Sequence, residues 1–475
     1  DKYRRDLAAL IDVTAPAAVI TDQAFAPEVE QAMRASARNS VRRVVCCEAV
    51  TPIAPEPGTW HGLERRPDDI VLLQHSSGTT GLQKGVALSH RAVFNQLDAY
   101  ARAIRLTQDD VIVSWLPLYH DMGLIAAFVM PILCRVPVVM MSPFDWVRAP
   151  ARLMQAISRY RGTLCWLPNF AYNFCAHKIR PRDLEGVDLS SLRAVTNCSE
   201  PIHWSSHQLF LEKFAPYGLR ADALAVSYAM AENVFGVTQG GIDVPLVIDE
   251  IDPRAFVTEG IALPAPDQPD SLRMVSSGRP IDNTRVCVLD AQRRELPERH
   301  VGELAIQSDC MLSGYYHRDD LTAQAFHEGW FLTGDLGYIA DGEVFVTGRK
   351  KDLIIVGGKN IAPQDLERLA GEVPGVHPGR VVAFGVYNES AGTEDVVIVA
   401  EADTEDQEER QRIGDAIRAA INRGSDVVLR DAYVVGAKWL LKTSSGKVAR
   451  SANRDKYLAE TRSQLMYDPA SVDRP

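Results

Sequence analysis

The sequence is short of most features that would fix a protein's partner at a glance. No apolar run among its 475 residues approaches the ~20 needed to span a bilayer. The opening, DKYRRDLAALIDV, has no signal-peptide pattern. Long basic runs are missing too, and 51 Lys and Arg against 62 Asp and Glu leave a net charge of −11. That balance argues against nucleic acid or an anionic membrane surface as the main partner. The eight cysteines contain no C-x-x-C pair. Cys46 and Cys47 are adjacent, and the others sit in apolar surroundings such as TLCWLP. They read as reduced packing residues of a cytoplasmic protein. Neither an internal repeat nor a low-complexity tract is evident.

What is present fits a globular protein of ordinary make-up, with 46% apolar and 24% charged residues. The length suits two or three domains. Through about residue 348, strand-like runs (VPVVMM, LRAVTNC, RVCVLD, VGELAIQ) alternate with helical stretches such as PARLMQAISRY. That alternation predicts an α/β domain, interrupted by the Pro-rich loop ALPAPDQPDS. After GRKKD the pattern resets in a smaller unit. VVAFGVYN and DVVIVAEAD read as its strands, RQRIGDAIRAAINR as its helix, and the acidic TEDQEE as a solvated helix start.

The stretch QHSSGTTGLQKGVALSH packs three glycines, several hydroxyl residues and one lysine between two apolar segments. Ile70 to Leu73 reads as the end of a buried strand. Ser89 is placed to cap a helix from His90, in which Val93, Leu97, Tyr100 and Ile104 recur at helical spacing. A strand, a Gly/Ser/Thr loop with a lysine and then a helix can hold phosphate through backbone amides, hydroxyls and an ammonium. Gly78 and Gly81 are three apart and Lys84 is followed by Gly85, so this is not a Walker loop. Taken alone, such a run is about as often a plain surface turn.

Five further stretches follow in order: SWLPLYHDMGL, NCSEPI, SYAMAEN, GWFLTGDLG with GRKKDLIIVGGKNIAPQDLE, and LLKTSSGKVAR. Together with the loop they resemble the adenylate-forming superfamily of acyl-CoA synthetases, fatty acyl-AMP ligases and peptide-synthetase adenylation domains, over residues 70 to 460. LPLYHDMGL and LPNFAYNF resemble the branch acting on fatty and related acyl chains. The resemblance implies a large adenylate-forming domain over 1–348, with layered α/β subdomains and a small β-rich one. A small mobile α+β domain over 349–475 would follow it. It also implies that ATP and Mg²⁺ convert a hydrophobic carboxylic acid to acyl-AMP and pyrophosphate. The acyl group would then pass to coenzyme A, or to the phosphopantetheine of an acyl carrier protein. A nucleotide-binding regulator without catalysis is a third reading, disfavoured because every charged motif position is filled.

Residue by residue, the resemblance assigns Ser76, Ser77, Gly78, Thr79, Thr80, Gly81 and Lys84 to the ATP phosphates. It places Ser199 and Glu200 at the nucleotide and Tyr228 against adenine. Asp335 and Arg349 go to the ribose, and Glu232 to Mg²⁺. His120 would line the acyl-carboxylate site near the α-phosphate. Lys447 would be carried in on the small domain to neutralise the reacting phosphate, with Lys351 as hinge. Asn169, Phe170, Gly357 and Gly358 would line the acyl and thiol channel. The chain departs from the family at Gln83, Leu441, Ala229 and Cys198, where proline, proline, glycine and a small residue (usually glycine) are usual; no charge is lost. It also begins later than most members. Fatty acyl-AMP ligases carry an insertion before the TGD turn that blocks rotation of the small domain. Here only His327, Glu328 and Gly329 separate Phe326 from Trp330. Free rotation, and hence coenzyme A as acceptor, is therefore the expectation.

Overall fold

The computed structural model describes residues 2–51, 64–75, 84–266, 268–356, 359–388, 393–425, 427–443 and 447–466. It is a mixed α/β molecule. At the N-terminus, α1 (Lys2–Thr14) and α2 (Ala26–Ala35) cover the parallel pair β1 (Ala18–Thr21) and β2 (Arg43–Cys46). Ala8, Ile11, Ala32 and Val41 form their own small core.

The antiparallel strands β3 (Ile70–His75) and β4 (Gly85–Ser89) flank the glycine-rich loop. Every residue of β4 is buried. β3 differs from the expected buried strand, since Ile70 and Val71 are 45% and 47% exposed. The reason is position: β3 is an edge strand. Helix α3 (His90–Ala103) begins as the spacing predicts. Ser89 Oγ accepts from Ala92 N at 3.1 Å, and Val93, Leu97 and Tyr100 make the buried stripe.

The main sheet holds five parallel strands in the order β6-β5-β7-β8-β9. These are β5 (Ile112–Ser114), β6 (Val138–Met140), β7 (Leu164–Leu167), β8 (Ala194–Asn197) and β9 (Leu224–Val226). β5, β7, β8 and β9 are buried at every position, as helices on both faces of a parallel sheet require. Because the strands run the same way, the chain leaves all of them at one edge of the sheet. There the segments after β5, β7, β8 and β9 meet. The segment after β5 leads into a π-helix at Met122–Val129, a rare form that clusters at functional sites. A side chain at Gly123, in the first turn of this helix, would come within 2.3 Å of the Pro117 carbonyl oxygen, so the helix packs on the preceding turn only with glycine there. After β7, helix α4 (Asn169–Lys178) turns back over the sheet.

Just ahead of β5, Asp110 is 2% exposed. It accepts from Thr163 Oγ1 at 2.7 Å and pairs with Arg193 at 3.0 Å. Arg193→Ala would leave that carboxylate without its cation. We expect a loss of about 2 kcal/mol or more, read as a lower urea midpoint at unchanged slope.

A second, antiparallel sheet has the order β10-β11-β14-β13, with β15 also on β14. It comprises β10 (Thr284–Leu289), β11 (Gly302–Ser308), β13 (Phe326–His327), β14 (Trp330–Ala340) and β15 (Glu343–Arg349); between them β12 (Gly314–Tyr315) pairs with β4. The TGD motif, which reads in the sequence as a strand-ending turn, instead lies inside β14 and does not end it. Gly334 takes φ +72° and the register shifts between Leu336 and Gly337, so the strand kinks and continues.

From Ile354 onward the buried clusters draw only on the C-terminal unit. There α5 (Pro363–Gly371), β16 (Val376–Asn388), β17 (Thr393–Ala402), α6 (Gln407–Gly424), β18 (Leu429–Val435) and α7 (Arg450–Met466) surround a three-stranded sheet. The main core draws on residues before 347.

Candidate active site

Four carboxylates arrive at the strand edge from three different segments of the large unit and from β14. After β5, His120 Nδ1 stands 2.6 Å from Asp121 Oδ1, and that oxygen also accepts from Met122 N at 2.8 Å. Burial alone would raise the Asp121 carboxyl, but the charges of His120 and Lys447 hold it below its ordinary value. After β8, Ser199 takes φ +73°, a left-handed conformation rare outside glycine and stored most often at functional sites. That kink carries Glu200 to the start of α4, where its Oε2 accepts from Phe170 N at 2.8 Å. A carboxylate there is favoured by the helix dipole.

After β9, Tyr228 is 8% exposed and its hydroxyl donates to Asp335 Oδ2 at 2.6 Å. Burial and the Asp335 charge push the phenol well above its usual range, so it stays a donor. Arg349 Nε donates to the other oxygen, Oδ1, at 3.1 Å. Asp335 and Arg349 are direct cross-strand partners of β14 and β15. Each carboxylate oxygen keeps a further lone pair for a ligand hydroxyl. Glu232 sits in the turn that follows, where Tyr315 Oη donates to its Oε1 at 2.9 Å. Burial raises the Glu232 carboxyl, and the Asp121 and Asp335 charges push it the same way.

An excess of buried negative charge is what a divalent cation would relieve. Among the described residues no group of three potential ligands gathers. Mg²⁺ in nucleotide sites takes one or two carboxylates and completes its shell with phosphate oxygens and water, so Glu232 fits.

Lys447 comes from the C-terminal unit, yet the charges acting on it are those of Glu200, Arg349 and Asp121, at the edge just described. Burial pushes its ammonium below the ordinary lysine value, and Glu200 pulls the other way. The small unit is thus docked with this lysine in the cleft. Lys442 follows the same path, its Nζ 5.9 Å from the Phe170 ring centroid. Lys351 lies in the short turn Lys350–Asp352 that joins the two units, beside Lys350, whose Nζ pairs with Glu303 of β11 at 2.7 Å.

The expected channel residues divide. Phe170 packs edge-on against the stacked pair Trp115 and Trp146, whose rings lie 3.7 Å apart, an aromatic cluster at the border of the main core. Asn169 is 6% exposed and its side chain is engaged by Asn197, Ser206 and the His203 amide. It ties the segment after β7 to the one after β8. Ser76, Ser77, Gly78, Thr79, Thr80, Gly81, Gly357 and Gly358 lie outside the described residues. Lys84 is described, with Nζ 4.7 Å from the Tyr315 ring centroid. Cys198 is fully buried, in keeping with the expectation of a packing residue. Ala229 needs no positive φ.

Two residues at this edge escaped the sequence reading. Asp121 had a signal, a charge inside the otherwise apolar WLPLYHDMGLIAAF. Tyr315 had none.

A family model described as AMP-binding enzyme matches residues 3–316. This chain belongs to the AMP-binding enzyme family. Within it, the putative acyl-CoA synthetase of Caulobacter vibrioides is 33% identical over 83% of this chain and 69% of its own. The medium-chain-fatty-acid–[acyl-carrier-protein] ligase JamA of Moorena producens is 32% identical over 85% of this chain and 70% of its own. A solved structure from work on fatty acyl-adenylate ligases of E. coli and L. pneumophila superposes with TM-score 0.87 at 29% identity, covering 98% of this chain and 83% of that one. The chain is therefore an adenylate-forming ligase, and the AMP-binding fold accounts for the convergence of its motifs on one sheet edge.

Proposed function

We propose that this ligase joins ATP and a fatty or related carboxylic acid into an acyl-adenylate, releases pyrophosphate, and passes the acyl group to a phosphopantetheine thiol. The observation that carries the first step is the placement of Lys447 among Asp121, Glu200 and Arg349. Two anions, a carboxylate and a triphosphate, must meet there, so fixed positive charge and oriented donors lower the barrier. Lys84 and Lys447 would face the phosphates and Asp335 with Arg349 the ribose. His120 would stand near the reacting carboxylate. Mg²⁺, where bound, supplies charge neutralisation at the phosphates, and Glu232 is the side chain suited to hold it. The aromatic cluster of Trp115, Trp146 and Phe170 beside Glu200 and Lys442 is in keeping with a hydrophobic acid, as are the fatty acyl names of the relatives.

For the acceptor, the β13–β14 hairpin supports coenzyme A. Its register pairs Phe326 with Phe331 and His327 with Trp330, and Glu328 and Gly329 both take positive φ. Such a two-residue turn leaves no room for an element bracing the small domain. The small unit, taken as 349–475, is then free to turn about Lys351 and bring Gly357 and Gly358 toward the adenylate. The likeness to JamA and to fatty acyl-adenylate ligases supports a carrier protein as the second reading. Chromatography of a reaction with ATP, acid and free coenzyme A separates them. Acyl-CoA is the expected product; acyl-adenylate that accumulates until a holo carrier protein is added overturns the coenzyme A reading. Failure of every acid from short to long chain to support pyrophosphate exchange overturns the activity itself.

A further inference from the structure

Among the described residues, Tyr315 touches both Glu232 and Lys84, the two halves of the proposed phosphate apparatus. Its hydroxyl donates to Glu232 at 2.9 Å, and its ring lies under the Lys84 ammonium, 4.7 Å from Nζ to centroid. The residue is 6% exposed and its backbone is fastened on both sides. In the β12–β4 pairing Tyr315 sits opposite Val86, with Ser313 N donating to Ala87 O at 2.9 Å and Tyr316 N to Gly85 O at 2.7 Å. Leu312 N donates to Glu232 O at 2.8 Å. The segment 312–316 thus stitches the strand leaving the glycine-rich loop to the turn that carries Glu232. That turn is under strain: Val234, β-branched, holds φ +63°. A strained turn keeps its aim only if its surroundings fix it.

We propose that Tyr315 is a positioning residue that holds the Glu232 carboxylate and the Lys84 ammonium in one fixed relation, coupling the cation to the leaving phosphates. The proposal rests on the reading of Glu232 as the Mg²⁺-holding carboxylate. The hydroxyl fills one lone pair of Oε1 and orients the carboxylate, as partners behind a metal ligand commonly do; their removal weakens metal affinity by about 10- to 100-fold. The ring contributes a cation–π contact that keeps Lys84 over the site.

The test separates the two contacts. Tyr315→Phe keeps the ring and loses the hydroxyl; Tyr315→Leu loses both. ATP binding is followed by calorimetry, with and without EDTA, and pyrophosphate exchange is followed against Mg²⁺ concentration. For Tyr315→Phe we expect about tenfold more Mg²⁺ at half-saturation. Its ATP affinity in EDTA and its KM for the acid should stay unchanged. Tyr315→Leu should also bind ATP more weakly in EDTA. Glu232→Gln serves as reference. If it leaves the Mg²⁺ dependence of ATP binding intact, Glu232 does not hold the metal and the underlying reading fails. If Glu232→Gln loses that dependence while Tyr315→Phe keeps it, the proposal for Tyr315 alone is overturned. A double variant no worse than Glu232→Gln supports it, because the hydroxyl would then act only through the carboxylate.

Discussion

Lys447→Ala is expected to lower acyl-adenylate formation by about 10²-fold or more, the usual cost of removing one fixed stabiliser of a charged transition state. The ammonium enters the cleft on the small unit and is half-buried between Glu200, Asp121 and Arg349. Partial exclusion of water strengthens its attraction to the phosphate oxygens as negative charge builds on them. The same variant should transfer the acyl group of a pre-made adenylate at a near-normal rate, because the small unit would have turned away by then. Rapid-quench measurement of the two half-reactions decides the matter. Equal damage to both would mean that the docked arrangement serves the whole reaction and that no alternation occurs. There is a pH signature as well. Burial holds this ammonium below the ordinary lysine value, so its charge is present at low pH and is lost as pH rises through that depressed value. Adenylation should therefore fade on the alkaline side before an exposed lysine would titrate. Lys447→Arg, whose guanidinium stays charged, should remove that fade from the profile.

Asp335→Ala is expected to weaken ATP binding by about tenfold or more, since hydrogen bonds to a charged acceptor are among the stronger ones. Tyr228 and Arg349 each occupy one oxygen of this carboxylate at 2.6 and 3.1 Å, and a ribose would use the lone pairs left over. The substitution also strands a buried phenol and a guanidinium, so a melting curve must accompany the titration. Asp335→Asn preserves shape and one acceptor and should fall between wild type and Ala. Unchanged ATP affinity in Asp335→Ala, with a normal melting temperature, would remove the ribose role.

The sequence by itself determined the class of fold and the adenylate-forming family. Of the strand runs before residue 348, VPVVMM and LRAVTNC become β6 and β8 of the parallel sheet, while RVCVLD and VGELAIQ become the antiparallel pair β10 and β11; the residues after GRKKD have separate cores. Ser89 caps α3 where its spacing places it, and Asp406, inside the acidic run, caps α6 by accepting from Glu408 N at 3.1 Å. Such features are local: a cap or an apolar stripe depends on residues a few positions apart, and the sequence displays them directly. The motifs that hold His120, Glu232, Asp335, Arg349 and Lys447 were legible because each is short and continuous in the chain. Their mutual placement was not. Asp121 and Lys447 are far apart in the chain, and only parallel strands that end at one edge, together with a small unit docked over that edge, bring the ammonium within reach of the carboxylate. The kink inside β14, the double grip on Asp335 and the exposure of β3 follow from strand pairing, which no local pattern encodes. Tyr315 shows the limit most plainly. Nothing in SGYY marks it, and it reaches Glu232 and Lys84 only because β12 pairs with β4 across more than two hundred residues of chain.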